Sequence, residues 1–508
     1  MQEKVLVLDF RSSYSPLIAR QIRDLGVYSE LVPFDIKAEE IAKDKGVKAL
    51  VFSGSPSHVY EKDGFDIDRD IYNLGLPILG ICYGMQLLAH TLGGEVQRAA
   101  QLEEGHKLVN FTKPNLLIED LVDTTFWMEH YDEVVKIPDG FTCCAATADC
   151  RQAMMFDEER KLYGVQFHPE MSNKENGAVI FKNFLFRICR LTRQNDMSGY
   201  IDEQVRKIQE EVKDERVICA FSGGVDSVVT AALLNKAIGE NLICVFVDHG
   251  LLRSGEAATV MATFKEKLQY NVIKVDAQEH FLKHLRGVSE PEAKRKIIGR
   301  EFINVFKAET EKLGNISYLA QGTIYPDILE SGTDGKKTIK SHHNVGGLPE
   351  ALGFKLIEPL KSLYKDEVRM LGKQLGLADS VVYRQPFPGP GLGVRCLGEV
   401  TKEKLDILCA ADLIVRTEIE EADIQEAWQY FAVLPNLFSV GVKDDARDYG
   451  YTIIVRAVAT SDGMTADWVN IPYDVLGRIA SRITEEIAAV NRVVYDITGK
   501  PPATIEWE

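Results

Sequence analysis

The sequence predicts an α/β protein: two parallel-sheet α/β domains followed by a small α+β C-terminal domain. Three observations carry this expectation. Short apolar runs alternate with amphipathic stretches from the N-terminus, and such alternation favours a parallel sheet covered on both faces. A polar segment at 199–213, rich in Glu, Gln, Lys and Arg, interrupts the alternation, which then restarts. A dense Pro/Gly stretch from Pro386 to Gly391 precedes a change to mixed helices and strands. The boundaries these shifts suggest are 1–195, 200–384 and 385–508.

In the first section, strands are expected at 5–8, 49–52 and 78–81, with a helix at 17–25. In the second, a buried strand at 217–221 leads through a glycine turn to a helix at 228–234, and another strand follows at 242–247. In the third, helices are expected near 402–411 and 475–489, and strands near 451–459 and 493–496.

A chain of 508 residues can bury two or three cores. No apolar run approaches the length of a membrane span. The start lacks the ordered charged, apolar and small-residue regions of a signal peptide, so the protein is expected in the cytosol. The net charge of −17 argues against nucleic acid as a partner, because a phosphate backbone demands a basic face. Small phosphorylated ligands need only a local basic pocket. The nine cysteines are scattered, odd in number and without a CxxC pair, which suggests neither a zinc site nor a disulfide framework. Most are expected to be small buried hydrophobes in a reducing compartment.

Cys82 is the exception. It stands between Gly80 and Gly84, where a buried strand turns sharply into a helix. Small neighbours let the backbone bend and lift the sulfur out of the sheet, and the N-terminus of the following helix favours the thiolate. A lone cysteine after a strand is more often a core residue, but a general base is also available. His168 lies at the end of a short strand, Pro169 stiffens its backbone, and Glu170 can orient the imidazole. Nucleophile, base and orienting carboxylate are thus all present.

With Gly80-Ile-Cys82-Tyr-Gly84 and Phe167-His168-Pro-Glu170, roughly the first 190 residues resemble the class I glutamine amidotransferases. The resemblance implies that Cys82 attacks the glutamine carboxamide, that His168 shuttles the proton, and that backbone N–H groups at Ser55 and Tyr83 form the oxyanion hole. The chain departs from that family at Gly54-Ser55-Pro56, Arg11-Ser12-Ser13 and Glu103-Glu104-Gly105. Its triad is intact, which implies activity.

The second candidate site is the run Ser222, Gly223, Gly224, Val225, Asp226, Ser227. It lacks the Gly-Lys-Ser/Thr ending of a Walker A loop, yet its physics is related. Two glycines let backbone N–H groups converge, serines add donors, and the helix dipole faces an anion. The run resembles the pyrophosphate loop of the N-type ATP pyrophosphatases, which implies ATP binding. Val247 and Asp248, at the end of the next strand, lie where α/β proteins place ligand contacts. Magnesium is implied by triphosphate chemistry, with Asp226 as its candidate ligand. Lys365 is not singled out by spacing, since charged helical residues are usually just solvated.

The order of these parts, with 291–299, 340–347, 386–392 and the tail 496–508, resembles the GMP synthase (glutamine-hydrolysing) family over essentially the whole length. That resemblance implies amination of XMP to GMP, with XMP, ATP and glutamine as substrates. It further implies that Arg295, Lys500 and Glu506 hold the nucleotide and that the C-terminal domain forms a homodimer. A phosphate wants Lys or Arg, and a purine edge wants a carboxylate acceptor. Two rivals are weighed against this. A glutamine-using NAD synthetase would carry a nitrilase-type Glu-Lys-Cys domain, which is not found. A binding protein with a dead amidotransferase head would not keep both motifs intact.

Overall fold

The computed structural model describes residues 3–61, 65, 67–172, 174–193, 197–314, 316–331, 353–443, 445–460 and 465–508. The motif at 340–347 lies outside the described residues. The chain divides into two compact units, Met1–Tyr200 and Ile201–Glu508.

The first unit is built on nine strands: β1 (Lys4–Asp9), β2 (Tyr28–Pro33), β3 (Val47–Phe52), β4 (Ile78–Ile81), β5 (Glu95–Phe111), β6 (Thr124–Lys136), β7 (Thr142–Ala146), β8 (Met154–Asp157) and β9 (Leu162–Val165). Their order is β2-β1-β3-β4-β9-β8-β7-β5-β6. The β2-β1-β3-β4-β9 half is parallel, and β9 onward is antiparallel. The parallel strands are continuous apolar runs because both their faces are buried. Helix Ser15–Asp24 covers one face with Ser15, Ile18, Ala19 and Ile22, the spacing of a single helical stripe. Burying each of its two isoleucines is worth roughly 1.5–3 kcal/mol.

In the second unit the strands are β10 (Val217–Ala220), β11 (Leu242–Asp248), β12 (Val272–Asp276), β13 (Tyr318–Ala320) and β14 (Lys355–Ile357). They form a parallel sheet in the order β12-β11-β10-β13-β14. The chain runs outward from β10 through β11 to β12, then returns to β13 on the other side of β10. Strand order therefore reverses at β10, and the loop after β10 opens at the crevice where such sheets bind ligands.

The same unit then builds a mixed sheet from β15 (Gln429–Val433), β16 (Phe438–Lys443), β17 (Ala446–Ala459), β18 (Asp467–Trp468) and β19 (Val490–Asp496). Only β19 runs parallel to the central β17; the others are antiparallel to it. Helices Lys402–Glu421 and Tyr473–Glu486 pack beside it, the first capped by Thr401, whose Oγ1 accepts from the Lys404 N–H at 3.2 Å. Ile218 and Phe306 share one continuous core with Leu408, Ile453 and Ile479. The two parallel-sheet regions and the α+β end match the fold class expected from the sequence. None of the nine cysteines is in a disulfide. No helix among the described residues is long and apolar enough to cross a membrane.

Candidate active sites

Strands β4 and β9 are neighbours in parallel register, with Ile81 opposite Val165. Cys82 and His168 follow their ends, so the sheet brings together two residues far apart in sequence. Cys82 has φ 52°, in the left-handed region that L-residues avoid. Its N–H donates to Val165 O at 2.7 Å, which pins the turn to β9. Helix Tyr83–Thr91 starts at the next residue. Gly84 is required by close packing: a side-chain carbon there would lie 2.4 Å from Phe52 O. Gly54 backs onto the same spot, where an added carbon would stand 3.1 Å from His168 Cε1 and 3.9 Å from Cys82 Cβ.

His168 Nδ1 lies 2.7 Å from Glu170 Oε1, and both side chains are buried. The His168 backbone is fixed on one side by Trp127 O, which accepts its N–H at 2.8 Å. On the other side Ser172 Oγ donates to His168 O at 2.6 Å. Burial alone would depress the imidazole pKa. The Glu170 carboxylate and the Cys82 sulfur outweigh that and raise it well above the usual histidine value. Tyr83 is the first residue of the helix, and Ser55 follows Gly54 with its Oγ accepting from the Ser57 N–H at 3.1 Å.

Sequence reasoning missed several neighbours of the sulfur. Gln166 Nε2 lies 3.6 Å from Cys82 Sγ, and Gln86 Nε2 lies 3.3 Å from Gln166 Oε1. The Cys82 thiol donates to Glu129 O at 3.7 Å. The Glu129 carboxylate in turn accepts from Tyr14 Oη at 2.8 Å and Trp127 Nε1 at 3.2 Å. Gln166, two residues before His168 on the same strand end, was the one of these that position could have flagged.

In the second unit, the loop after β10 is tied by its own serines. Ser222 Oγ and Ser227 Oγ lie 3.0 Å apart, and Ser227 Oγ donates to Gly224 O at 2.9 Å. Gly223 has φ +77°, and a side-chain carbon there would meet Val260 Cγ2 at 2.8 Å. Gly224 is the N-cap of helix Val225–Ile238, so the first-turn N–H groups face the loop mouth. Val247 is buried in β11, the strand beside β10. Asp226, in the first turn, meets Lys365: Nζ lies 2.8 and 2.6 Å from the two carboxylate oxygens. Lys365 opens helix Lys365–Gln374, whose start is set by the Tyr364 N–H donating to Glu367 Oε2 at 2.8 Å. Arg384 adds a second cation, donating to Gly223 O at 3.2 Å and pairing with Glu256.

The tail is docked. Arg456, fully buried, donates to Ile505 O at 2.8 Å, to Thr498 O at 2.9 Å and to Thr504 O at 2.9 Å. It also pairs with Asp496 Oδ2 at 2.8 Å. Arg395, equally buried, holds Glu506, and Gln429 Nε2 donates to the same carboxylate at 3.0 Å. Lys500 exchanges backbone hydrogen bonds with Ala466 at 2.7 and 3.0 Å. Arg295 and its buried neighbour Lys294 both contact Glu508. Arg295, Lys500 and Glu506 thus all belong to one anchored segment and its contacts.

The chain matches the glutamine amidotransferase class-I family over residues 6–188, the PP-loop domain over 197–298 and the GMP synthase C terminal domain over 417–507. It is 57% identical over 509 residues to GMP synthase (glutamine-hydrolyzing) of Geobacillus kaustophilus, covering 100% of both chains. Proteins of the same name from Bacillus licheniformis and Bacillus subtilis are each 55% identical over 510 residues, covering 100% of this chain and 99% of theirs. With all three family matches along it and more than half identity from end to end, the chain belongs to the GMP synthase (glutamine-hydrolyzing) family.

Proposed function

We infer that this chain aminates XMP to GMP with ammonia released from glutamine, consuming ATP through an adenyl-XMP intermediate, in guanine nucleotide biosynthesis. The observation that carries this is the pairing of the Cys82–His168–Glu170 constellation with the Ser222–Ser227 loop in one chain of this family.

Cys82 is the nucleophile toward the glutamine carboxamide carbon. His168 gives its proton to the leaving nitrogen, so ammonia departs and a glutamyl thioester remains. Water cleaves that thioester with His168 as base, releasing glutamate. Glu170 holds the imidazole upright and favours its protonated form. The backbone N–H groups of Ser55 and Tyr83 receive the oxyanion.

At the second site, Ser222, Gly223, Gly224, Val225, Asp226 and Ser227 cradle the ATP phosphates, and Val247 lines the nucleotide site from β11. The XMP C2 oxygen attacks the α-phosphorus, pyrophosphate leaves, and ammonia then displaces AMP. Asp226, a hard carboxylate at the loop mouth whose two oxygens accept from Lys365 Nζ at 2.8 and 2.6 Å, would hold Mg2+ beside that lysine. Bound there, Mg2+ would offset the phosphate charge. Lys365, already on Asp226, supplies a second positive group at the loop mouth. Arg295, Lys500 and Glu506 bind XMP.

In functional terms residues 1–195 are the glutaminase, 200–384 the ATP pyrophosphatase, and 385–508 a nucleotide-binding and dimer-forming domain. An apolar stripe supports the homodimer: Phe438, Val440 and Val442 alternate outward along β16, with Tyr449 of β17 paired to Val440, and all are exposed. A cytosolic location accords with the metabolic role. Glutamine carrying heavy nitrogen at its amide tests the whole reading. Mass spectrometry should find the label in the exocyclic amine of GMP, and an unlabelled product would defeat the proposal.

A further inference from the structure

His280 and His284 stand one turn apart on helix Gln278–Leu285, and both rings turn to Glu301 on the neighbouring helix Pro291–Leu313. His280 Nε2 lies 2.9 Å from Glu301 Oε2, and His284 Nε2 lies 3.9 Å from the same oxygen. The ligand atoms all fall within 4.8 Å of one another. A tetrahedral ion with zinc-like bond lengths holds such atoms about 3.3 Å apart, so small side-chain rotations close the set.

Hydrogen bonds within the two helices fix the orientation of the ligand atoms. His284 Nδ1 lies 2.8 Å from His280 O, and a carbonyl oxygen only accepts, so Nδ1 carries the hydrogen. Nε2 is then the ring nitrogen that faces Glu301. The Nδ1–H to backbone carbonyl bond is also the outer contact that typically orients a metal-bound histidine. Glu301 is prepared in the same way: Arg300 Nε holds Oε1 at 2.8 Å, and Asn304 Nδ2 donates to Oε2 at 3.2 Å. Glu301 is 5% exposed, whereas the histidines are 42% and 36% exposed, which leaves a solvent-facing position for a fourth ligand.

A second trio, Glu103, His130 and Cys150, is different. There all three residues are buried and Glu103 Oε1 accepts from Thr147 Oγ1 at 2.7 Å, so the set has no solvent-facing position for a further ligand.

We propose that His280, His284 and Glu301 form a binding site for a divalent transition cation of the zinc class, with water as the fourth ligand, that ties the two helices together. None of the three residues belongs to the Cys82–His168–Glu170 constellation or to the Ser222–Ser227 loop. The longer helix also carries Lys294 and Arg295, which contact the C-terminal Glu508, so the cation would stiffen the support of the tail.

The test is zinc titration of the full chain against a chromophoric chelator, with His280→Ala/His284→Ala and His284→Ala in parallel. The parent should bind one equivalent more than the double variant. His284→Ala should weaken that equivalent at least about tenfold, since even outer-shell losses cost this much. Circular dichroism and a urea midpoint matching the metal-free parent confirm that each variant is folded, and the single variant decides the matter if the double one does not fold. Equal stoichiometry and affinity in the parent and folded variants would overturn the site.

Discussion

Glu506 forms a two-pronged ion pair with the buried guanidinium of Arg395: Oε2 lies 3.0 Å from Nε and Oε1 lies 2.9 Å from Nη2. Phe431 stacks against the same guanidinium, 3.9 Å from its ring centre. The next carboxylate, Asp412, is 3.8 Å from Nη1. Glu506→Ala should therefore strand a buried charge and destabilise the second unit by about 3 kcal/mol, the lower end of the range for breaking a buried pair. Urea unfolding would measure it. A change within about 0.5 kcal/mol, as at an ordinary surface site, would show that Arg395 is satisfied without the tail.

Lys500→Ala should weaken XMP binding far more than ATP binding. A charge-assisted contact to phosphate contributes roughly 1.5–3 kcal/mol. Its loss corresponds to about one to two orders of magnitude in apparent XMP affinity. Saturation curves for both substrates decide it: if they shift together, or XMP saturation is unmoved, the role of Lys500 is to hold the tail.

Asp226→Ala should lower pyrophosphate release by at least about a hundredfold with either nitrogen donor, as when one preorganised electrostatic contact is removed. Lys365→Ala should act in the same direction, because Lys365 and Asp226 form one unit at the loop mouth. Glutamine hydrolysis measured alone should be retained in both. Near-normal pyrophosphate release would remove this pair from the chemistry.

The raised pKa of His168 sets a pH dependence. A histidine whose folded pKa is raised contributes its stabilisation fully below the ordinary imidazole value, and loses it as pH climbs through the raised one. Replacing the Glu170 charge removes one of the causes that raise it. Glu170→Gln should move the alkaline limb of the glutaminase profile to lower pH. An alkaline limb that stays in place would mean that Glu170 does not govern the His168 proton.

Much of this was legible in local pattern. The strand Ile78–Ile81, the elbow at Cys82 and the loop at Ser222–Ser227 show in sequence because buried parallel strands and tight glycine turns leave dense local signals. The long ribbon of β5 and β6 left none. β5 is mostly polar and exposed, and β6 buries Phe126, Met128, His130, Asp132 and Val134 in alternation, two of them polar, so pairing across the ribbon and not an apolar run defines it. Helix Lys402–Glu421 extends well past the expected stop near residue 411, since its burial continues through Ile414, Val415 and Ile419. Lys365 was passed over because its partner is 139 positions away. Arg395 and Arg456 look like surface residues until the sheet and tail close over them. Contacts fixed by tertiary packing have no local trace, and most of the supporting residues are of that kind.

One chain joins two separable chemistries, and Cys82→Ala should uncouple them. GMP formation from XMP and ATP should be measured with glutamine and with ammonium. The glutamine-driven rate should fall by more than about a thousandfold, the scale of losing a covalent nucleophile, while the ammonium-driven rate stays near that of the parent. Equal failure with both donors, or normal turnover with glutamine, would contradict it.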